Sequence, residues 1–133
     1  MLLESGIVLS HEVGLILCPH ANTPHYIEAL SHFFAGTLGG FTQQAVKGGW
    51  VMTEAIDGHD VGELVIEDNV LVSASYDEEP DGEWWYKFYG YAWAYWLGSA
   101  QDSIAVKIDG KLVLYTDREA FRDQLEILYR AYG

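Results

Sequence analysis

Aromatic side chains occupy nine of the thirteen positions from Trp84 to Trp96. The whole 133-residue chain has five Trp, nine Tyr and five Phe, so this segment holds nearly half of its aromatic residues. A strand here would carry rings on both faces, whereas a helix would keep one face for small residues. Gly90, Ala94 and Gly98 recur every four residues, which lets a helix approach a neighbour closely. The segment therefore favours a helix over a strand.

The segment predicts more aromatic surface than one sheet can cover. The main interpretation is a core helix whose far side is covered by a second copy of the chain, because obligate interfaces are rich in aromatic residues. A platform that stacks on a base or a sugar and a hot-spot surface for a foreign protein stay open as alternatives. The rings assigned to self-association or ligand stacking are Trp84, Trp85, Phe88, Tyr89, Trp93 and Trp96.

The rest of the chain alternates short β-favouring runs with two further helix patterns. Pro24 after the candidate N-cap Thr23 predicts a helix over 24–38. Thr116 and Glu119 form a capping box that begins a C-terminal helix. The run GIVL predicts an additional N-terminal strand.

Three turn signals predict β-hairpins, at Lys47-Gly48-Gly49, at Asp68-Asn69 and at Asp109-Gly110. The order of elements then predicts an α+β fold with a mainly antiparallel sheet and helices packed on one face. We expect a ferredoxin-like βαββαβ core plus an N-terminal strand and a C-terminal helix, in a single domain that spans 1–133.

The charge balance limits the partners of the chain. Twenty Asp and Glu against seven Lys and Arg give a formal net charge of −13, which opposes direct contact with nucleic acid or an anionic membrane. No apolar run reaches the ~20 residues of a transmembrane helix. Cys18 is the sole cysteine, which is compatible with a reducing compartment. These features predict a cytoplasmic protein, in the host cytoplasm if it is viral.

Between Lys47 and Lys87 the sequence has eleven carboxylates and no basic residue. One interpretation is a solvated surface that protects strand edges. The other is an anionic array that occupies a basic groove meant for phosphates. The residues assigned to partner binding are Asp57, Asp60, Glu63, Glu67, Asp68, Asp77, Glu78, Glu79, Asp81 and Glu83.

Patterns for metal binding and catalysis are weak. His25, Glu28 and His32 share one face of the first predicted helix and are ligand types that zinc accepts, as is the nearby His20, but a solvent face has the same composition. We therefore predict no metal and no cofactor. P-loop, dinucleotide-binding and nucleophile-elbow motifs are absent, and Cys18 within an apolar run indicates an inert thiol. The chain is accordingly expected not to be an enzyme.

The segment GGFTQQAVKGGWV, followed by GELVIEDNVLVSASY, resembles a group of small uncharacterised proteins encoded by tailed phages. In these proteins a GGFT-type hairpin follows the first helix of a ferredoxin-like domain. The resemblance covers roughly residues 13 to 115. It implies a viral accessory protein made inside a bacterial host, and it carries over no activity and no catalytic residues.

These observations favour a non-enzymatic acidic interaction protein, such as a phage anti-defence inhibitor. Its carboxylate-rich face would mimic nucleic acid and block a basic groove of a host protein or nucleoprotein complex, with the aromatic segment supporting a homo-oligomer. Two alternatives come from other classes. One is a nucleotide- or sugar-binding or sequestering protein with an aromatic pocket at an oligomer interface. The other is a structural virion or assembly component.

Overall fold

A computed structural model describes residues 4–56 and 58–133. The elements in chain order are β1 (His11–Leu17), α1 (Thr23–Leu38), β2 (Thr42–Val51), β3 (Leu64–Tyr76), α2 (Gly82–Ser99), β4 (Ile104–Ile108), β5 (Lys111–Tyr115) and α3 (Arg118–Tyr132). None of the described helices is long and apolar enough to cross a membrane.

The five strands form one antiparallel sheet in the order β2-β3-β1-β4-β5. The first four strands with α1 and α2 have the ferredoxin-like order, and β5 and α3 are additions. The predicted α+β class with this core is confirmed. The expected N-terminal strand is wrong in detail, since residues 6–10 are not in a strand. The strand that follows, β1, begins at His11, where His11 and Glu12 pair with Tyr76 and Ser75.

One of the three predicted hairpins is confirmed. Asp109 and Gly110 have φ of 50° and 77° and join β4 to β5 in a two-residue turn. The other two turn signals lie inside long strands, where Lys47 of β2 pairs with Asp68 of β3. Gly49 has a different reason to be glycine, because a Cβ there would lie 2.6 Å from the carbonyl oxygen of Val65.

The aromatic segment is the helix α2, as the small-residue spacing favoured. Trp84, Phe88 and Trp96 are buried in the core. Helices α1 and α3 of the same chain cover rings of α2, since Phe33 of α1 stacks on Trp84 at 5.2 Å and Phe121 of α3 stacks on Trp93 at 5.9 Å. The far side of α2, which the sequence analysis expected a second copy of the chain to cover, is thus covered largely by helices of the same chain.

The small residues of α2 are used unequally. A Cβ on Gly98 would collide with the ring of Tyr26, so α1 and α2 do approach closely there. Gly90 has nothing within 4 Å of that position, and Ala94 is exposed. The predicted close approach is therefore limited to one end of the helix.

Two predicted helix starts are displaced by one residue. Helix α1 begins at Thr23 with Asn22 as N-cap, and the Thr23 hydroxyl instead donates to the carbonyl oxygen of Cys18. The N-cap of α3 is Asp117 rather than Thr116, because the Asp117 carboxylate accepts from the backbone N–H of Ala120 at 3.0 Å.

Strands β2 and β3 extend well past the rest of the sheet. Strand β1 pairs with β3 only from Val70 onwards, so residues 46–51 and 64–69 form a two-stranded arm. In the arm the solvent-exposed fractions of Trp50, Leu64 and Ile66 are 49%, 63% and 63%. Since an isolated two-stranded hairpin is marginally stable in water, the arm is a natural place for a ligand or another chain to add cover.

Candidate ligand-binding site

A cleft of about 490 Å³ lies where the central strand β1 ends. Strand β1 stops at Leu17, while its neighbour β3 continues into the arm and its other neighbour β4 begins at Ile104. The cleft occupies the gap between the arm and the α2–β4 loop, and its volume is typical of ligand sites. Its lining consists of Ile16, Cys18, Gly48, Gly49, Trp50, Glu67, Asn69, Tyr95, Gln101, Asp102, Ser103, Ile104, Ala105 and Leu114.

A half-buried carboxylate, that of Glu67, lies on the sheet face opposite the helices. When the amide nitrogen of Asn69 faces it, Asn69 donates to Glu67 Oε1 at 2.7 Å. Gly48 is directly opposite Glu67 in the ladder, so no side chain covers the carboxylate from there. Trp50 follows on the same face of β2, within reach of the diagonal neighbour Glu67. The arm thus presents a carboxylate with open space beside it and an indole ring nearby.

Cys18 and Tyr95 form the inner wall of the cleft. The backbone N–H of Cys18 donates to the Tyr95 hydroxyl at 2.6 Å. Burial, together with the nearby Glu67 carboxylate, raises the pKa of the Cys18 thiol to about 11. Burial also raises the pKa of Tyr95 above its ordinary value. Both groups are therefore neutral at physiological pH, and the Cys18 thiol lacks the thiolate character of a nucleophile.

The electrostatic character of the cleft is negative. Its carboxylates are Glu67 and Asp102, and the described lining contains neither lysine nor arginine. The cleft combines anionic, aromatic and small apolar surfaces, and this combination suits an organic cation that carries a flat ring system.

The predicted partner-binding carboxylates do not form one face. Asp57 lies outside the described residues. Strand β3 has thirteen residues, so at ~3.3 Å per residue its ends are about 40 Å apart. The carboxylates near the arm are Asp60, Glu63, Glu67 and Asp68, and those beyond the other end of β3 are Asp77, Glu78, Glu79, Asp81 and Glu83. The structure thus places these carboxylates toward two ends of β3, because the residues interpreted as a turn at Asp68-Asn69 belong to one long strand.

The aromatic residues proposed for stacking lie outside the cleft. Trp84, Phe88 and Trp96 are core residues, and Trp85, Tyr89 and Trp93 are half-buried between α2 and its neighbours. From α2 the cleft receives Tyr95, which was not singled out. Trp50 was likewise missed, although its position after Gly48-Gly49 was a usable signal.

The histidine candidates for a metal site are dispersed. His32 and Glu28 lie 3.8 Å apart on the exposed face of α1. Within residues 4–56 and 58–133 no group of three or more His, Cys, Asp or Glu side chains is arranged to hold a metal ion.

Comparisons with known proteins find structures with a similar fold but identify no family. No family model matches the sequence, and no curated protein matches it. A phage SAM lyase in complex with S-methyl-5'-thioadenosine has a similar structure, with a TM-score of 0.55, 16% identity and coverage of 88% of this chain and 97% of that one. A phage SAM lyase in the apo state is also similar, with a TM-score of 0.51, 12% identity and coverage of 81% of this chain and 90% of that one. Likenesses at these identities show the shared fold.

These neighbours change the functional interpretation. Both are phage proteins, which agrees with the phage part of the sequence resemblance, although neither supports the GGFT hairpin or an uncharacterised family. Both are enzymes, and one binds a small molecule. The expectations of a non-enzymatic inhibitor and of a chain without catalytic function are therefore wrong. They rested on charge counts and missing motifs, which do not detect a cleft assembled from distant strands.

Proposed function

We propose that this chain is an enzyme that binds S-adenosylmethionine in the cleft at the end of β1 and cleaves it as a lyase, releasing S-methyl-5'-thioadenosine. The observation that carries the proposal is the carboxylate of Glu67, which lies open beside Gly48 and next to Trp50. The likeness to phage SAM lyases over most of both chains supports the same substrate. The proposal keeps the small-molecule alternative from the sequence and places its site on the arm rather than on α2.

The reaction requires no proton transfer to or from the protein. The bond between the sulfonium sulfur and the γ-carbon of the methionine-derived chain breaks, and its electron pair stays on sulfur. The thioether then leaves as a neutral molecule that needs no proton. The substrate's own carboxylate can attack the γ-carbon and close a five-membered lactone, so atoms and charge balance without water.

The cleft residues match these needs. Glu67 supplies negative charge near the cationic part of the substrate, and Asn69 holds that carboxylate in place. The indole of Trp50 provides a face for the adenine ring or the sulfonium. Tyr95 closes the inner end. In this arrangement the enzyme positions and desolvates the substrate, and both effects favour a step in which charge disappears.

A homo-oligomer stays a prediction, and the exposed arm suggests where a second copy could bind. Trp50 lines the cleft, and Leu64 and Ile66 are exposed on the opposite face of the arm. We propose that a second copy covers the arm, which would also shield the cleft from water.

The test is direct. The purified chain is incubated with S-adenosylmethionine, and S-methyl-5'-thioadenosine and the lactone are quantified by mass spectrometry against a protein-free control. We expect Glu67→Gln to lower the rate at substrate concentrations below KM by raising KM, because Glu67 pairs with a charge that is present in the bound substrate and disappears during cleavage. Glu126→Gln is the matched control, because Glu126 pairs with Arg130 at 2.8 Å on the exposed side of α3. Product no faster than in the protein-free control would contradict the proposal, as would an unchanged rate in Glu67→Gln.

A further inference from the structure

We infer that the cleft selects its ligand by the positive charge on sulfur: it binds the sulfonium form more tightly than a neutral thioether with the same adenosine group. The inference rests on the proposed function and specifies what the site recognises. It also explains product release, since cleavage removes the charge that the cleft holds.

The first argument is the balance of charge within the cleft. Its carboxylates are Glu67 and Asp102, its thiol and phenol are neutral, and the described lining has no cationic side chain. The side chain that donates to Glu67, that of Asn69, is neutral. A bound cation would therefore supply the one charge that the half-buried carboxylate lacks.

The second argument concerns the nearest lysines, which are engaged elsewhere. Lys47 lies on the opposite face of β2 and pairs with Asp68 at 3.4 Å. Lys107 shares the open face of the sheet, but its ammonium lies 3.6 Å from Glu12. Neither lysine pairs with Glu67. Arg118 donates to the carbonyl oxygen of the lining residue Gln101 at 2.6 Å and lies over the Trp96 ring, and it forms no ion pair with Glu67 either. An attraction between charges in a partly desolvated cleft exceeds that in bulk water.

The third argument is the indole of Trp50. Its Nε1–H donates to the sulfur of Met52 at 3.3 Å, which fixes one edge of the ring, and 49% of the residue is exposed. The free indole face attracts a sulfonium through its quadrupole and does not attract a neutral thioether in the same way. Glu67 and Trp50 thus discriminate by the same property of the ligand.

Charge recognition favours binding of the substrate over binding of the product. S-adenosylmethionine enters with a sulfonium and an ammonium, whereas S-methyl-5'-thioadenosine has neither. After cleavage both the ion pair with Glu67 and the cation–π contact with Trp50 are lost. We therefore expect weak product inhibition.

The test compares ligands that differ at the position of the sulfur. Isothermal titration calorimetry measures the dissociation constants of sinefungin, which carries an amine at the sulfonium position and has no thioether to expel, and of neutral S-adenosylhomocysteine. We expect the wild-type protein to bind sinefungin about tenfold or more tightly than S-adenosylhomocysteine, with the ratio falling as salt rises. Glu67→Gln and Trp50→Ala should each reduce the ratio, and Glu126→Gln should keep it. Circular dichroism confirms that each variant is folded.

Each outcome separates the inference from the proposed function. Equal affinities in a wild-type protein that cleaves S-adenosylmethionine would overturn charge selection and leave the lyase standing. A ratio that survives in both Glu67→Gln and Trp50→Ala would overturn the assignment to these residues. Charge-selective binding without any cleavage would support the inference on recognition and sink the lyase.

Discussion

Replacing Tyr95 with Phe tests whether the inner wall of the cleft is held by a single hydrogen bond. The Tyr95 hydroxyl accepts from the backbone N–H of Cys18 at 2.6 Å, and Tyr95 is 1% exposed. The variant keeps the ring and leaves that N–H without its partner. An unsatisfied buried donor costs about 1–3 kcal/mol. At about 2.1 cal/mol/K per residue, the unfolding entropy of 133 residues is about 0.28 kcal/mol/K. The melting temperature should therefore fall by about 4 to 11 °C.

The assay is thermal unfolding followed by circular dichroism, with urea unfolding as a second measure of the free energy. The matched control is Tyr91→Phe, one helical turn earlier, where the ring lies 5.0 Å from that of Phe33 and takes no part in the hydrogen bonds that hold Cys18. It should change the melting temperature by less than about 2 °C. Equal stability of Tyr95→Phe and wild type would refute the reasoning, since the end of β1 would then be held by other contacts.

Three further predictions concern other parts of the structure. Phe88→Ala, at a fully buried ring stacked on Trp84 at 5.7 Å, should lower the free energy of unfolding by about 3–5 kcal/mol in urea titrations; a loss below about 1 kcal/mol would mean that α2 is not the centre of the core. In Gly48→Val the new Cβ would lie 3.0 Å from the side-chain amide of Asn69, its nearest neighbour. We expect calorimetry to show weaker binding of S-adenosylmethionine, while the melting temperature stays within about 4 °C of wild type. The Cys18 thiol has its pKa raised from 9.0 to about 11, so alkylation by iodoacetamide at pH 8 should be about 100-fold slower than that of a free cysteine, with a rate that rises up to pH 11. Rapid alkylation at pH 8 would show that the thiol is not shielded.

The core order of the fold could be predicted because it depends on local signals. The Asp109-Gly110 turn requires two residues with positive φ, and both have it. The aromatic segment is a helix because one of its faces bears small residues. The register of β2 against β3 could not be predicted in this way. Its glycines serve close contact between strands rather than a turn, and a single sequence gives the same letters for both uses.

The candidate site was hidden for a related reason. Glu67 was counted among surface carboxylates, and the turn assigned to Asp68-Asn69 put it at the end of a short strand. In the structure it is the fourth residue of the long strand β3, opposite Gly48 and beside the end of β1. Cys18 and Tyr95 meet at 2.6 Å although they are 77 residues apart. Proximity of this kind is a property of strand order, which composition does not contain.

The net charge of −13 has a different meaning once the cleft is known. As a sequence property it suggested a basic macromolecule as partner, but the structure divides the carboxylates between the two ends of β3. A cationic small molecule needs no continuous anionic surface. It needs a negative potential around the protein and one uncompensated carboxylate in a cleft, and the surrounding charge raises the local concentration of the ligand. Glu67 supplies that carboxylate. The acidity of the chain is thus consistent with a cationic substrate, and a fall in kcat/KM with rising ionic strength would separate steering of the substrate from a purely solubilising role.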